Sequence, residues 1–223
     1  MKRALLLATL LAPMTTMAQG FEGAYAGLYT GYAWAKDEGT SYSAFTGGKT
    51  GWTQDTNPRS VQYGALAGYN WLPREHWLLG LEADIEGRAD NEDSSNQEFS
   101  GIPINVFSGS SAIESSGSLR VRAGYLPTSN LLLFVTGGYA YAKVEREWRD
   151  AIQNSSESHT NGQDGWTVGA GAEYLLNEAI SARLEYRYAD FGTEKGIEVN
   201  MWQEEYNQRL TEQSVRLGAS YHF

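Results

Sequence analysis

Residues 214–223 read SVRLGASYHF, and this stretch decides the fold class. Apolar or aromatic residues alternate in it with polar or small ones, and successive side chains of a strand point to opposite faces. One face therefore carries Val215, Leu217, Ala219, Tyr221 and Phe223. The stretch predicts a β-strand with one apolar face and one polar face.

The first residues indicate export from the cytoplasm. Lys2 and Arg3 precede an apolar run over 4–12, and residues 16–18 include the small side chains that signal peptidase requires. We interpret residues 1–18 as a cleaved signal peptide and residues 19–223 as one domain. The apolar run is about half the ~20 residues of a membrane helix, and no later stretch is longer, so we expect no transmembrane helix in the mature chain.

Charge and cysteine content exclude several functions. The formal charge is −10, and removing Lys2 and Arg3 makes it −12, which argues against a nucleic-acid partner. The chain has no cysteine, which excludes thiol catalysis, thiolate metal sites and disulfides. We expect no cofactor.

Counting residues 214–223, eight segments of about ten residues or slightly more show an alternation of apolar and polar residues, which is clear in most of them. Ten residues suffice for a tilted strand to cross a bilayer. Connections are short after the second, fourth and sixth segments and long after the others. This order predicts an all-β, eight-stranded antiparallel up-and-down transmembrane β-barrel with four long external loops and short periplasmic turns. The segments are 22–35, 61–72, 77–88, 117–126, 130–142, 165–176, 180–191 and 214–223.

The outward rows are mostly apolar, as lipid contact requires, and they place aromatic residues at two heights. An aromatic core in a soluble β-sandwich is the alternative, but it explains neither the two heights nor the charges on the opposite face. Near the short turns we expect a girdle of Tyr69, Trp71, Trp77, Tyr125, Tyr174, Tyr221 and Phe223. Near the long loops we expect a second girdle of Tyr32, Trp34, Tyr63, Tyr139, Tyr141, Trp166, Tyr186 and Tyr188.

The inward face carries five acidic residues and five arginines. Buried charges require partners, and the planar guanidinium group matches a carboxylate, so a balanced set predicts an internal salt-bridge network. Inward glycines leave room for these long side chains. The predicted network comprises Glu82, Asp84, Glu86, Glu173, Glu185, Arg120, Arg122, Arg183, Arg187 and Arg216.

Eight strands enclose only about enough space for side chains, whereas aqueous porins use roughly 16 to 18 strands, which argues against a permanent wide pore. Catalysis by the interior carboxylates is disfavoured, because arginines match them and we expect no interior nucleophile or histidine to complete a site. No two histidines have metal-ligand spacing, so we expect no metal site. His76 falls in a short turn, His222 at the end of the last strand and His159 in a polar loop.

The long loops over 89–116 and 193–213 are acidic and hydrophilic, which the solvation of an outer surface explains. Two other interpretations are divalent-cation bridging to lipopolysaccharide and a ligand contact through Trp52, Trp148 or Trp202. No carboxylate run has EF-hand spacing.

Together, these motifs resemble the small eight-stranded outer-membrane barrel proteins of the porin family, the surface antigens of alphaproteobacteria, which share the architecture of the OmpA transmembrane domain. The motifs that carry the resemblance are 23–27, 31–34, 67–71, 79–85, 120–125, 136–141, 165–174 and 184–192.

The resemblance implies an outer-membrane location amid lipid and lipopolysaccharide, and insertion by the barrel-assembly machinery, which recognises a terminal aromatic such as Phe223. It supplies no reaction. We therefore expect a non-enzymatic structural and surface-exposed envelope protein. The alternatives are a haemin or host-surface adhesin acting through its loops, a small low-conductance porin, and a lipid-modifying enzyme using Ser158 and His159.

Overall fold

The computed structural model describes residues 20–89 and 92–223, so the predicted signal peptide and Asp90 lie outside the described part. Eight of its ten strands form a closed antiparallel ring, because β1 pairs with β10 as well as with β3. The expected eight-stranded up-and-down barrel is confirmed. The strands are β1 (Gly23–Ser43), β2 (Lys49–Thr56), β3 (Arg59–Arg74), β4 (Trp77–Ala89), β5 (Asp93–Phe99), β6 (Ile102–Thr128), β7 (Leu131–Asp150), β8 (Ser155–Leu175), β9 (Ile180–Val199) and β10 (Glu204–His222).

Short turns connect β3 to β4, β6 to β7 and β8 to β9 at one end of the barrel, as predicted. Closure satisfies the backbone of every ring strand, which is what a sheet within hydrocarbon requires. Within the described residues, no helix has the length and apolar character needed to cross a membrane.

The prediction of four long external loops is wrong in detail, because most of these segments are strand. β6 has 27 residues, and only residues 151–154 and 200–203 separate β7 from β8 and β9 from β10. Outside the bilayer the outer face of a strand is polar, and where its inward residues are polar too, as over residues 155–165, the alternation disappears while the hydrogen-bonded ladder continues.

Two additional strands complete the external part of the barrel above β3 and β4. β2 pairs with the upper part of β1, β5 pairs with β6, and the two meet at Trp52 and Phe99. Between β8 and β9, in contrast, the ladder ends at Trp166 and Asp190. Beyond that point side chains connect the strands.

The interior is built in layers, which alternate between apolar and charged. An apolar floor of Phe21, Leu78, Leu126, Leu132, Phe134 and Leu175 lies near the short turns. A charged layer follows, and above it an apolar layer of Ala35, Ile113, Ala140, Ala142, Val144, Ala189, Phe191 and Leu210. Near the outer end, Trp148, Ile197, Val199 and Tyr206 form a third apolar cluster.

Candidate functional site

A layer of paired charges fills the middle of the barrel. β4 supplies three carboxylates, Glu82, Asp84 and Glu86, because alternate residues of the strand face inward. The neighbouring strand β6 places Arg120 and Arg122 inward, and Glu82 lies directly opposite Arg120 in the ladder. All five side chains are buried. The register between β4 and β6 thus brings the first acids and arginines of the layer together.

Glu82 lies between two guanidinium groups. Its Oε1 is 2.5 Å from Nη2 of Arg120, and its Oε2 is 2.6 Å from Nη1 of Arg183, which comes from β9 across the barrel. Glu185 contacts the same two arginines at 2.5 Å and 3.1 Å. The hydroxyl of Tyr25 donates to Glu82 at 2.7 Å. Two acids and two arginines therefore tie β4 and β6 to β9.

Glu86 and Asp84 form the upper half of the layer. Arg187 lies 2.8 Å from Glu86 and 3.3 Å from Asp84, and Arg216 also donates to Glu86. The hydroxyl of Tyr29 donates to Glu86 at 3.0 Å. These contacts connect β4 with β9 and β10.

Arg88 and Glu212 are members of this layer that the sequence interpretation missed. Arg88 lies 2.8 Å from both Glu86 and Glu212, and Arg187 lies 3.4 Å from Glu212. Arg88 lies two residues after Glu86 on β4 and therefore faces inward as well, so the alternation of the strand could have identified it. Glu212 was assigned to a loop, because apolar and polar residues do not alternate in that part of β10. The layer keeps its balance, since the two additions have opposite charge.

Glu173 forms the lower end of the layer, close to the apolar floor. Arg122 donates to it, and the guanidinium carbon of Arg122 lies 4.1 Å from the ring centre of Phe134. Ser181 donates to Glu173 at 2.5 Å, and Nε2 of His222 lies 3.4 Å from its Oε1. A serine and a histidine therefore lie beside an interior carboxylate, and the expectation that neither completes a catalytic site depends on their geometry.

This Ser–His–Glu cluster lacks the geometry of a catalytic triad. Nε2 of His222 meets both Ser181, at 3.1 Å, and Glu173, while Nδ1 has no hydrogen-bond partner among the described residues. A triad needs the carboxylate on one ring nitrogen and the nucleophile on the other. All three side chains are also buried, which leaves no place for a substrate.

A second polar cluster lies above the apolar layer, around Arg146. Its guanidinium group donates to Asp37 at 2.7 Å and 3.2 Å, to Gln163 at 2.8 Å and to Glu194 at 3.0 Å. Sequence reasoning missed this cluster because it ended the first strand at residue 35 and the fifth at 142. Asn161 donates to Glu194 at 2.5 Å, so the cluster also bridges β8 and β9 where their ladder is absent.

The tryptophans considered as ligand contacts pack against other rings instead. Trp148 is fully buried, and its ring lies 5.5 Å from that of Tyr206. The rings of Trp52 and Trp202 each lie 5.5 Å from Phe107. Burial raises the pKa of the Tyr206 hydroxyl. These residues form the core of the external part of the barrel.

His159, predicted in a polar loop, lies in β8. Its Nε2 is 3.1 Å from Glu157, and its ring meets that of Trp148 at 5.8 Å. Burial opposes ionisation of Glu157, but hydrogen bonds from Asn200, from the Met201 amide and from His159 outweigh it and lower its pKa. Within residues 20–89 and 92–223, no group of three or more His, Asp or Glu side chains is arranged to hold a metal ion.

The aromatic residues predicted for the girdles lie on the outer face. All are exposed except Trp34 and Tyr188, which are half-buried beside Tyr186 and Trp166, at ring distances of 6.5 Å and 5.5 Å. Phe223 is exposed and packs on Tyr221 at 5.1 Å, and its amide donates to the carbonyl of Ala24 at 2.9 Å.

Residues 4–223 match the outer membrane protein beta-barrel domain. The chain belongs to this family. The 31 kDa outer-membrane immunogenic protein of Brucella melitensis is 30% identical over 95% of this chain and 87% of its own length. The 22 kDa outer membrane protein of Rhizobium leguminosarum is 31% identical over 71% of this chain and 64% of its own length. The resemblance to alphaproteobacterial surface antigens is thus confirmed, and these relatives support an outer-membrane location.

Solved structures share the fold. OprG of Pseudomonas aeruginosa aligns with a TM-score of 0.60 and 14% identity, over 92% of this chain and 98% of its own. The outer membrane protease OmpT of Escherichia coli aligns with a TM-score of 0.54 and 10% identity, over 94% of this chain and 99% of its own. At such identities the likeness is one of fold and not of activity.

Proposed function

We propose that this protein is a non-enzymatic structural component of the outer membrane, with a closed interior and an outer end presented at the cell surface. The observation that carries the proposal is the filled lumen. Balanced ion pairs of buried arginines and carboxylates cross the barrel, and apolar layers lie above and below them. A protein built to conduct would place water where this barrel places side chains.

The energetics favour a permanently closed barrel. Removing one partner of a buried ion pair costs about 3–5 kcal/mol, because the other charge remains without compensation. Opening a path would separate several such pairs at once, since Glu82, Arg183 and Glu185 share partners. The network therefore acts as a brace between opposite walls.

Planar-bilayer conductance of the refolded mature protein tests the proposal. We expect no channel steps from the wild type or from a control, Lys143→Ala, which removes an exposed ion pair on the outer surface. Reproducible wild-type steps whose amplitude changes in Arg183→Ala or Glu82→Ala, but not in the control, would overturn it and indicate a small porin.

The proposal includes export and assembly. Residues 1–18 act as a signal peptide, so the protein in the outer membrane begins at Gln19. Phe223 serves as the signal for the barrel-assembly machinery. Intact-mass measurement of the protein from outer membranes tests the first point, and a mass that retains residues 1–18 would contradict it. Lower outer-membrane yield of Phe223→Ala, with unchanged refolding in detergent, tests the second.

A further inference from the structure

An apolar groove of about 740 Å³ lies on the outer wall of the barrel, over β3, β4 and β6. Its floor includes small outward residues in two rows of the ladder: Gly87 on β4 faces Ser115 on β6, while Ala65 on β3 and Gly117 on β6 lie on either side of Ile85, which is exposed. Tyr63 borders the groove and packs over Gly87, since a Cβ atom there would lie 3.2 Å from its ring. The groove is therefore a recess in the wall at the height of the outer girdle.

This recess faces hydrocarbon, so water cannot fill it at low cost, and an apolar occupant is required. The lining is almost entirely apolar. The occupants available at this place are an acyl chain of the surrounding lipid and a second copy of the barrel.

A polar hollow of about 180 Å³ lies further out, over β1, β10 and the start of β3, and is lined by Trp34, Lys36, Asn57 and Arg59 together with Thr211, Glu212 and Gln213 of β10. Arg59 is exposed and forms no ion pair within the described residues, whereas Lys36 pairs with Glu38. Asp55, opposite Glu38 in the ladder, lies in the next row outward. Arg59, opposite Trp34 of the outer girdle, is thus a cation without an ion-pair partner among the described residues, at the level where lipid headgroups lie.

β3 contributes residues to both the hollow and the groove. Arg59, Tyr63 and Ala65 share the outward face of β3, and six residues of strand separate Arg59 from Ala65, or about 20 Å. A strand tilted by about 40° covers about 15 Å of depth over that length, so Arg59 lies outward of the groove. A cation outward of an apolar groove suits a lipid that has an anionic headgroup and an acyl chain.

We propose that this wall holds one phosphorylated, acylated lipid of the outer leaflet. One acyl chain lies in the groove between Tyr63 and Gly117, and the phosphate is held by Arg59, with Lys36 beside it. Arginine suits the phosphate because its planar group donates two parallel hydrogen bonds.

Native mass spectrometry of the refolded full-length mature protein, with lipid A added at increasing concentration, tests the proposal. We expect one lipid A per barrel, bound more tightly than phosphatidylcholine. Ala65→Leu fills the groove with a side chain that lipid tolerates, and Arg59→Gln removes the cation. Each variant should weaken lipid A binding about fivefold. Arg59→Gln loses one partly exposed ion pair with the phosphate, and Ala65→Leu loses a contact of similar strength with the acyl chain. Ser115→Leu provides a second groove variant.

Two control variants have no reason to alter the site. Ala123→Leu fills a different groove on the same outer face, near the short turns, and Arg149→Gln removes an exposed arginine of β7. Equal binding by all variants would overturn the proposal, as would equal loss in the controls. A wild-type dimer that Ala65→Leu dissociates, without any change in lipid A binding, would also overturn it and identify a second copy as the occupant.

Discussion

Replacing Glu82 by glutamine gives the sharpest measure of the interior network. Glutamine keeps the shape of the side chain and removes its charge. It thereby weakens contacts to Arg120 at 2.5 Å and Arg183 at 2.6 Å, both of which are buried. Glu185 still contacts both arginines. We therefore expect a loss of about 3 kcal/mol in the free energy of unfolding, the lower end of the ~3–5 kcal/mol for a broken buried pair.

Urea unfolding in phosphatidylcholine vesicles, followed by tryptophan fluorescence, measures this loss. With a dependence on urea of about 2 kcal/mol per molar, a loss of about 3 kcal/mol lowers the midpoint by about 1.5 M. The matched control is Glu114→Gln, which disrupts an exposed pair with Lys143 and should cost less than about 1 kcal/mol.

The double variant Glu82→Gln/Arg183→Met separates charge balance from packing. If an uncompensated arginine causes the loss, removing that arginine as well should recover part of the stability, although the single variant Arg183→Met is itself destabilised. A Glu82→Gln variant no less stable than Glu114→Gln would refute the reasoning, because the ion pairs would then contribute nothing beyond filling space.

Three other predictions concern different parts of the chain. Gly138→Ala should destabilise the barrel by about 1–3 kcal/mol, because a Cβ atom there would lie 2.1 Å from the carbonyl oxygen of Leu119; urea midpoints measure this. Trp148→Phe should cost far less than the ~3–5 kcal/mol expected for Trp148→Ala, because the buried indole nitrogen has no hydrogen-bond partner to lose in the part of the chain that the structure describes; urea midpoints of the two variants measure this. Hydrogen bonds to the Glu157 carboxylate depress its pKa in the folded state. The stability that Glu157 contributes is therefore present above its ordinary pKa of 4.5 and is lost as the pH falls through the lowered pKa. Amide hydrogen exchange near Asn200 should become faster over that pH range in the wild type and should not do so in Glu157→Gln.

The membrane-spanning half could be predicted from the sequence because lipid imposes a strict pattern on it. Every second residue of a spanning strand must be apolar. The repeat of two residues therefore identifies the strand, distinguishes its two faces and shows which charged residues point inward. Leu79 and Glu82 on β4, for example, differ in face because they differ in parity.

The external half could not be predicted in the same way. The segment 155–165 of β8 is polar on both faces, so its sequence has no period and favours a loop. It is a strand because β7 supplies a continuous ladder for it, from Asp150 opposite Ser155 onward. Pairing between segments distant in sequence, and not local preference, determines the structure there.

The same difference explains which members of the polar interior were found. Glu82 and Arg120 were found because each lies in an obviously alternating strand, whereas Arg146, Asp37 and Glu194 lie where alternation has ended. Yet Arg146 is as buried as the arginines of the charged layer and makes as many contacts to polar groups. Its burial outside the bilayer implies that the external part of the barrel has a core of its own, with Trp148 above the arginine and Val144 below it. A barrel whose walls are braced at both levels presents a fixed outer surface, which suits a structural role better than a mobile, ligand-capturing one.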